Sequence, residues 1–149
     1  MPTYRGPGGL WNDPDTARLS DLKGLKADPD ACWKFWGDVR RKAAEAEPNQ
    51  AHQALAQWQK NLSNGQSFTL ITQNVDELHQ RAGSKNVVEL HGSLFTTRCS
   101  NEKCPLEPYR DHDQYPLESP KCSLCNQYLR PGIILFEEAL PPDAEWQAK

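Results

Sequence analysis

Four cysteines spaced Cys-x4-Cys-x17-Cys-x2-Cys, from Cys99 to Cys125, constrain this chain more than any other feature. They fall in Arg98 to Gln127, a stretch rich in Pro, Cys and charge whose composition differs from both flanks. A segment of about thirty residues has too little apolar content to fold around its own core, so a bound metal must supply the missing stabilisation. Two short hairpin loops, each presenting two thiolates, give the tetrahedral donor set that structural zinc prefers. With Cys99, Cys104, Cys122 and Cys125 all acting as ligands, no position is left for a catalytic water, so one structural Zn2+ per chain is expected. The first gap, wider than the usual two residues, leaves the shape of that loop open. The competing reading is four ordinary thiols, two of them a redox pair. Paired spacing in a chain of intracellular type argues for metal instead. The fifth cysteine, Cys32, lies in a helical pattern beside Trp33 and reads as a buried thiol.

On either side of this stretch, strand and helix signals alternate. Pro2 to Gly9 reads as loop. From Asp30, a plausible cap, Trp33, Trp36, Val39 or Arg40, and Ala43 follow helical spacing. A second helix is expected to open at Asn49, with Ala51, Leu55, Trp58 and Leu62 as its stripe and Asn64-Gly65 as its end. Phe68 to Thr72 predicts a buried strand, Asp76 to Arg81 a short helix stopped by Gly83, Val87 to Leu90 a strand, and Ile133 to Phe136 a third. Strands alternating with helices imply an α/β fold with a parallel sheet. Ligands of such sheets sit beyond the carboxyl ends of strands. Gln73, Asn74 and Asp76 follow the first strand and His91 follows the second, so these four are site candidates. His52, His79 and His112 read as ordinary satisfied histidines.

The 149-residue length suits one domain with a small insert, and the net charge of −3 shows no nucleic-acid footprint. Around the cysteines, Glu102, Glu107, Asp111, Asp113 and Glu118 disfavour a zinc-ribbon nucleic-acid binder. Lys26 to Lys42 is interleaved with Asp28, Asp30 and Asp38, as on a solvated helix face. No apolar run approaches the ~20 residues of a membrane span, and no charged-then-apolar leader is seen. A soluble, intracellular, chiefly cytoplasmic chain is the expectation, with nucleus and mitochondrion left open.

The stretch Thr72-Gln-Asn-Val-Asp-Glu-Leu-His, Ala82-Gly83, and Glu89-Leu90-His91-Gly92-Ser93 resembles the sirtuins, the NAD-dependent protein-lysine deacylases. Tyr4-Arg5-Gly6, Gly8-Gly9-Leu10-Trp11, Glu47-Pro48-Asn49 with His52, and Leu129-Arg130-Pro131 extend the resemblance from about Tyr4 to Leu140. It is nearest to the class with bacterial and mitochondrial deacylases. The resemblance implies a partial Rossmann-like parallel sheet carrying an inserted small zinc-ribbon domain. Residues 1–97 and 128–149 would then form the NAD-binding and catalytic domain, and 98–127 the zinc-binding insert. It further implies NAD as co-substrate, an acylated-lysine protein or peptide as substrate, and nicotinamide and O-acyl-ADP-ribose as products. His91 would be the general base that activates a ribose hydroxyl of an alkylimidate intermediate. Asn74 and Asp76 would hold the nicotinamide ribose and carboxamide, and Gln73 the ribose hydroxyls. Arg5 would meet the diphosphate or ribose, and Tyr4, where the family usually has Phe, would shield the nicotinamide pocket.

Several departures accompany these matches. Only Met1-Pro2-Thr3 precedes Tyr4, where the family has its first strand and Gly-rich phosphate loop, and the family's later strands would follow Lys149. The expectation is a truncated sirtuin core that holds NAD weakly by itself. Phe-Gly-Glu of the family reads Phe136-Glu137-Glu138, which sets bulk and charge where a substrate peptide pairs. The alternative reading is therefore a catalytically silent zinc-bearing interaction module derived from a sirtuin. The Tyr-x-x-Arg pair of desuccinylating members aligns with Trp36 and Val39. Arg40, one residue on, is turned by about 100°. A neutral acyl group such as acetyl is the expected substrate.

Overall fold

The computed structural model describes residues 6–9 and 12–140. Three helices open the fold, each started by an aspartate whose carboxylate accepts a backbone N–H. Asp13 caps α1 (Pro14–Leu19), Asp21 caps α2 (Leu22–Ala27) and Asp28 caps α3 (Pro29–Glu45). Asp30, the expected cap of α3, lies instead in its first turn. Pro29 explains the shift, because its fixed φ and missing N–H suit the first helical position. The carboxylate of Asp30 accepts hydrogen bonds from the backbone N–H and hydroxyl of Ser119.

α3 is the spine of the molecule. Cys32, Trp33, Trp36, Val39, Arg40 and Ala43 are all buried along it, so both residues left open by the pattern face inward. Helix α4 (Gln50–Lys60) starts at Asn49 in a capping box closed by His52. It ends at Asn61, not at Gly65, which turns the following loop with φ +86. None of its residues is buried, and Trp58 of the expected stripe is 61% exposed, packed edge-on against Phe68.

Strand β1 (Leu70–Thr72) pairs in parallel with β2 (Val87–Glu89), with α5 (Leu78–Arg81) between them. Both strands are shorter than expected, and in β1 only Leu70 is buried. Asp76 stands outside α5 and accepts from Leu78 N at 3.0 Å. The second sheet is antiparallel, in the order β4 (Tyr109–Arg110), β3 (Gly92–Cys99), β5 (Leu129–Ile133). The expected strand Ile133–Phe136 is corrected here, since the regular pairing precedes it and is antiparallel. Beyond Ile133 the chain leaves β3: Ile134 N donates to His91 O, and Phe136 N donates to Ser20 O beside α2. Gly92, at φ +74, lets the start of β3 close on β5, because a Cβ there would lie 2.1 Å from Gly132 O.

Two apolar clusters result. In the larger, Trp36, Val39 and Ala43 of α3 pack with Leu94, Phe95, Ile133 and Leu135. In the smaller, Trp33 packs with Cys99, Cys122 and Leu129. No helix among the described residues is long and apolar enough to cross a membrane.

Candidate functional site

The four cysteines converge as their spacing predicts. Their Sγ atoms all lie within 4.8 Å of one another. Cys99 Sγ is 3.4 Å from Cys125 Sγ, and Cys104 Sγ is 3.6 Å from Cys122 Sγ. Four sulfurs at about 2.3 Å from a central zinc stand about 3.8 Å apart, so the cluster is near the tetrahedral size and far wider than disulfide bonds. Burial pushes the Cys99 thiol up to about 12. Cys122 is also desolvated, but N–H bonds from Leu124 and Cys125 outweigh that effect and bring it down to about 7. Backbone donors that favour a thiolate suit a metal ligand. The donor set fits Zn2+, with β3 supplying Cys99 and the turn before β5 supplying Cys122 and Cys125.

The polar strand ends form a second site. Past β1 the chain is stitched to the β2–β3 turn at successive points. Leu90 N donates to Thr72 O at 3.0 Å, His91 Nδ1 donates to Gln73 O at 3.0 Å, and Leu94 N donates to Val75 O at 2.9 Å. A carbonyl only accepts, so Nδ1 of His91 carries a proton. With Nδ1 as the donor, Nε2 is the ring nitrogen that can accept a proton. Gln73 and Asn74 are exposed beside it, with Asn74 N held by Thr72 Oγ1 at 3.0 Å. His91, Gln73, Asn74 and Asp76 are thus brought onto one loop system. Tyr4 and Arg5 lie outside the described residues.

Residues that sequence reading passed over complete the surroundings. Glu77 adopts a left-handed conformation at φ +56, and its Oε1 accepts from Ser93 Oγ and pairs with Arg110. Glu89, one residue before Leu90, accepts from Gln80 Nε2 at 2.8 Å, and burial pushes its carboxyl above the usual range. The other histidines have structural contacts. His79 lies 4.6 Å from His52 with the rings tilted by 60°, and His112 packs 5.1 Å from the Phe95 ring. His79 departs from the expectation of a satisfied histidine, since its Nδ1 is buried without a hydrogen-bond partner among the described residues.

Glu137 has φ +69, a backbone state that favours glycine, and its carboxylate pairs with Lys23 at 3.1 Å. Glu138 next to it is held by both Arg130 guanidinium nitrogens at 2.5 and 2.7 Å. Arg40 reaches no open cleft. It is 1% exposed, and its side chain bonds Leu94 O, Asp113 O, Thr96 O and Thr97 Oγ1 and pairs with Asp111.

Parallel strands with polar carboxyl ends, a histidine just beyond one of them and a tetrathiol cluster on an adjoining antiparallel sheet define an α/β protein with a candidate polar site and a donor set that fits a structural metal. The Sir2 family pattern matches residues 1–148. NAD-dependent protein deacylase 1 of Archaeoglobus fulgidus is 43% identical over 143 residues, 96% of this chain and 56% of its own length. The mitochondrial NAD-dependent protein deacylase sirtuin-5 of Danio rerio is 39% identical over 164 residues, 96% of this chain and 54% of its own. A crystal structure of a Sir2 homolog–NAD complex superposes with TM-score 0.83 at 41% identity, covering 99% of this chain and 56% of that one. Another, a Sir2 homologue mutant with ADP-ribose, reaches 0.86 at 41% identity, covering 99% and 57%. This chain therefore belongs to the Sir2 family, and it spans little more than half the length of these relatives.

Proposed function

We propose that the chain carries the base-bearing and zinc-binding part of an NAD-dependent protein-lysine deacylase that removes acetyl or similar neutral acyl groups. The observation that carries this reading is the His91 Nδ1–Gln73 O hydrogen bond just beyond β2, which leaves Nε2 as the nitrogen available to act as a base. In that role Nε2 takes the proton of a ribose hydroxyl. Asn74 and Asp76 hold the nicotinamide ribose and carboxamide, Gln73 the ribose hydroxyls and Arg5 the diphosphate or ribose, while Tyr4 shields the nicotinamide pocket. The substrate is an acylated lysine in a protein or peptide. A relative bound to a propionylated peptide, similar at TM-score 0.76, supports this substrate class.

The division of labour we assign places the catalytic domain in residues 1–97 and 128–149 and the metal-binding insert in 98–127. Cys99, Cys104, Cys122 and Cys125 hold one Zn2+, which keeps the insert folded and takes no part in the chemistry. A cytoplasmic setting fits this reading.

A second reading, a catalytically silent zinc-bearing module, is favoured by one observation. Glu137 puts a charged side chain at a left-handed position that suits glycine. The test is nicotinamide release from NAD and an acetyl-lysine peptide, with residues 1–149 carried in the length of the Archaeoglobus fulgidus relative. Turnover that His91→Ala abolishes, with NAD binding by calorimetry retained, supports the deacylase. NAD binding without turnover supports the silent module.

A further inference from the structure

We propose that Arg110, from the cysteine-bearing insert, is a positioning residue that holds the Gln73–Glu77 loop in its binding geometry through Glu77. The functional half of this proposal rests on the deacylase reading above. Glu77 closes the polar loop and opens α5, and it does so at φ +56 and ψ +20 without being glycine. A left-handed backbone is unfavourable for a residue that carries a Cβ, so neighbouring contacts must hold it there. Three do so. Its backbone carbonyl accepts from Arg81 N at 3.0 Å, which fixes the first turn of α5. Its Oε1 accepts from Ser93 Oγ, and Ser93 Oγ in turn accepts from Phe95 N at 3.0 Å. The same Oε1 pairs with Arg110 Nη1 from β4.

Glu77 is the nearly buried member, with its side chain 12% exposed against 59% for Arg110. Ser93 is neutral, so without Arg110 that carboxylate would be desolvated with no ion-pair partner among the described residues. The economical escape is for Glu77 to swing outward, which releases the left-handed turn and with it Val75, Asp76 and the N-terminus of α5. Arg110 is itself braced, with its guanidinium 5.8 Å from the Phe95 ring centroid and its backbone paired with Thr96. These contacts hold the exposed guanidinium against the Glu77 carboxylate. The insert therefore contributes to the polar site by an ion pair, at a distance from its own thiols.

The test reads amide hydrogen exchange in the 149-residue chain. Two reporters lie in the loop system: Leu78 N, bonded to Asp76 Oδ1, and Leu94 N, bonded to Val75 O. Leu129 N, bonded to Pro120 O, reports on the insert. Arg110→Gln should speed exchange at Leu78 and Leu94 by about threefold to tenfold while leaving Leu129 unchanged. Arg110→Lys should recover most of the protection. Adding Glu77→Gln to Arg110→Gln should cause little further loss, because the two changes break one contact. Unchanged exchange at both loop amides, or equal acceleration at Leu129, overturns the proposal.

In the chain extended to the relative's length, Arg110→Gln should raise KM for NAD about threefold to tenfold with kcat nearly kept. An unaltered KM in a turning-over enzyme also overturns it. Absence of turnover in the unmutated extended enzyme, with the exchange result intact, would instead remove the deacylase reading and leave the clamp standing.

Discussion

Replacing Arg40 by methionine should be among the most damaging single changes in α3. The guanidinium donates to Leu94 O at 2.7 Å, Asp113 O at 2.6 Å, Thr97 Oγ1 at 3.1 Å and Thr96 O at 3.3 Å, and lies 3.3 Å from Asp111 Oδ2. Methionine keeps the apolar stem and removes every donor, stranding a buried carboxylate. Breaking one side of a buried pair costs about 3–5 kcal/mol. At about 2–4 °C per kcal/mol for a chain of this size, the midpoint should fall by about 6–20 °C. Thermal and urea unfolding read this directly.

The stranded charge gives the prediction its signature. Burial pushes the Asp111 carboxyl up, but bonds from Thr97 and Asp113 N and the Arg40 charge hold it below the usual range. A depressed native pKa means the contribution is present above the ordinary carboxylate range and lost as pH falls through the native value. In Arg40→Met that acid-side loss should shrink, and adding Asp111→Asn should restore part of the stability. A drop of under about 2 °C, or no recovery in the double variant, would refute the reasoning.

Three further outcomes follow from other contacts. Elemental analysis should find one zinc per chain, and Cys122→Ser should release it and shift Trp33 fluorescence, since that ring packs with Cys99 and Cys122 and its Nε1 donates to Leu129 O at 2.7 Å; a metal-free, fully folded protein would contradict this. With Trp36 and Val39 in the core and Arg40 fully engaged, the chain carried in a relative's length should deacetylate faster than it desuccinylates, a ranking measured with paired peptides. Burial raises the Glu138 carboxyl, but Arg130 outweighs it and holds the pKa low, so the contribution of Glu138 is present above the ordinary glutamate range and lost as pH falls through the native value. Glu138→Gln should cost about 3 kcal/mol near neutral pH and flatten the acid limb of a stability–pH curve.

The inward face of α3 was readable because its apolar spacing is dictated by one buried side, and the thiol cluster because two cysteine pairs admit few arrangements. The candidate loop was readable for the same kind of reason, with polar residues directly after apolar strands. Other features were not local. β3 lacks clean alternation, since Ser93, Leu94 and Phe95 are buried in succession and its pairing with β5 shifts register between Gly92 and Thr97. The run Ile133–Phe136 looks like a strand, yet its backbone groups go to His91 and Ser20 in separate elements. Glu77 was passed over because its importance comes from a left-handed backbone and from Arg110, thirty-three residues away. The stripe of α4 follows the helical period, but periodicity cannot say what covers it, and Trp58 stays exposed among the described residues.

The thiol cluster and the proposed base, His91, are set apart by the same strand that joins them. β3 begins at Gly92, directly after His91, and ends at Cys99, one of the four clustered thiols. At about 3.3 Å per residue the backbone from His91 to Cys99 spans up to about 26 Å. A zinc ion held there would be too far to polarise a group at the proposed base, and four thiolates would leave it no open position for substrate. What it can do is mechanical. Fixing Cys99 fixes the far end of β3, and the near end carries Ser93 against Glu77 and Leu94 N against Val75 O. Trp33 and Arg40 then lock that strand to α3 at two levels, one against the thiol cluster and one beneath Leu94. Metal loss should therefore reach the polar loop as increased motion along β3 and not as altered chemistry at His91. Hydrogen exchange of the metal-stripped chain tests this, with the loss of protection expected to be graded from Cys99 towards Leu94; a uniform loss would mean global unfolding instead.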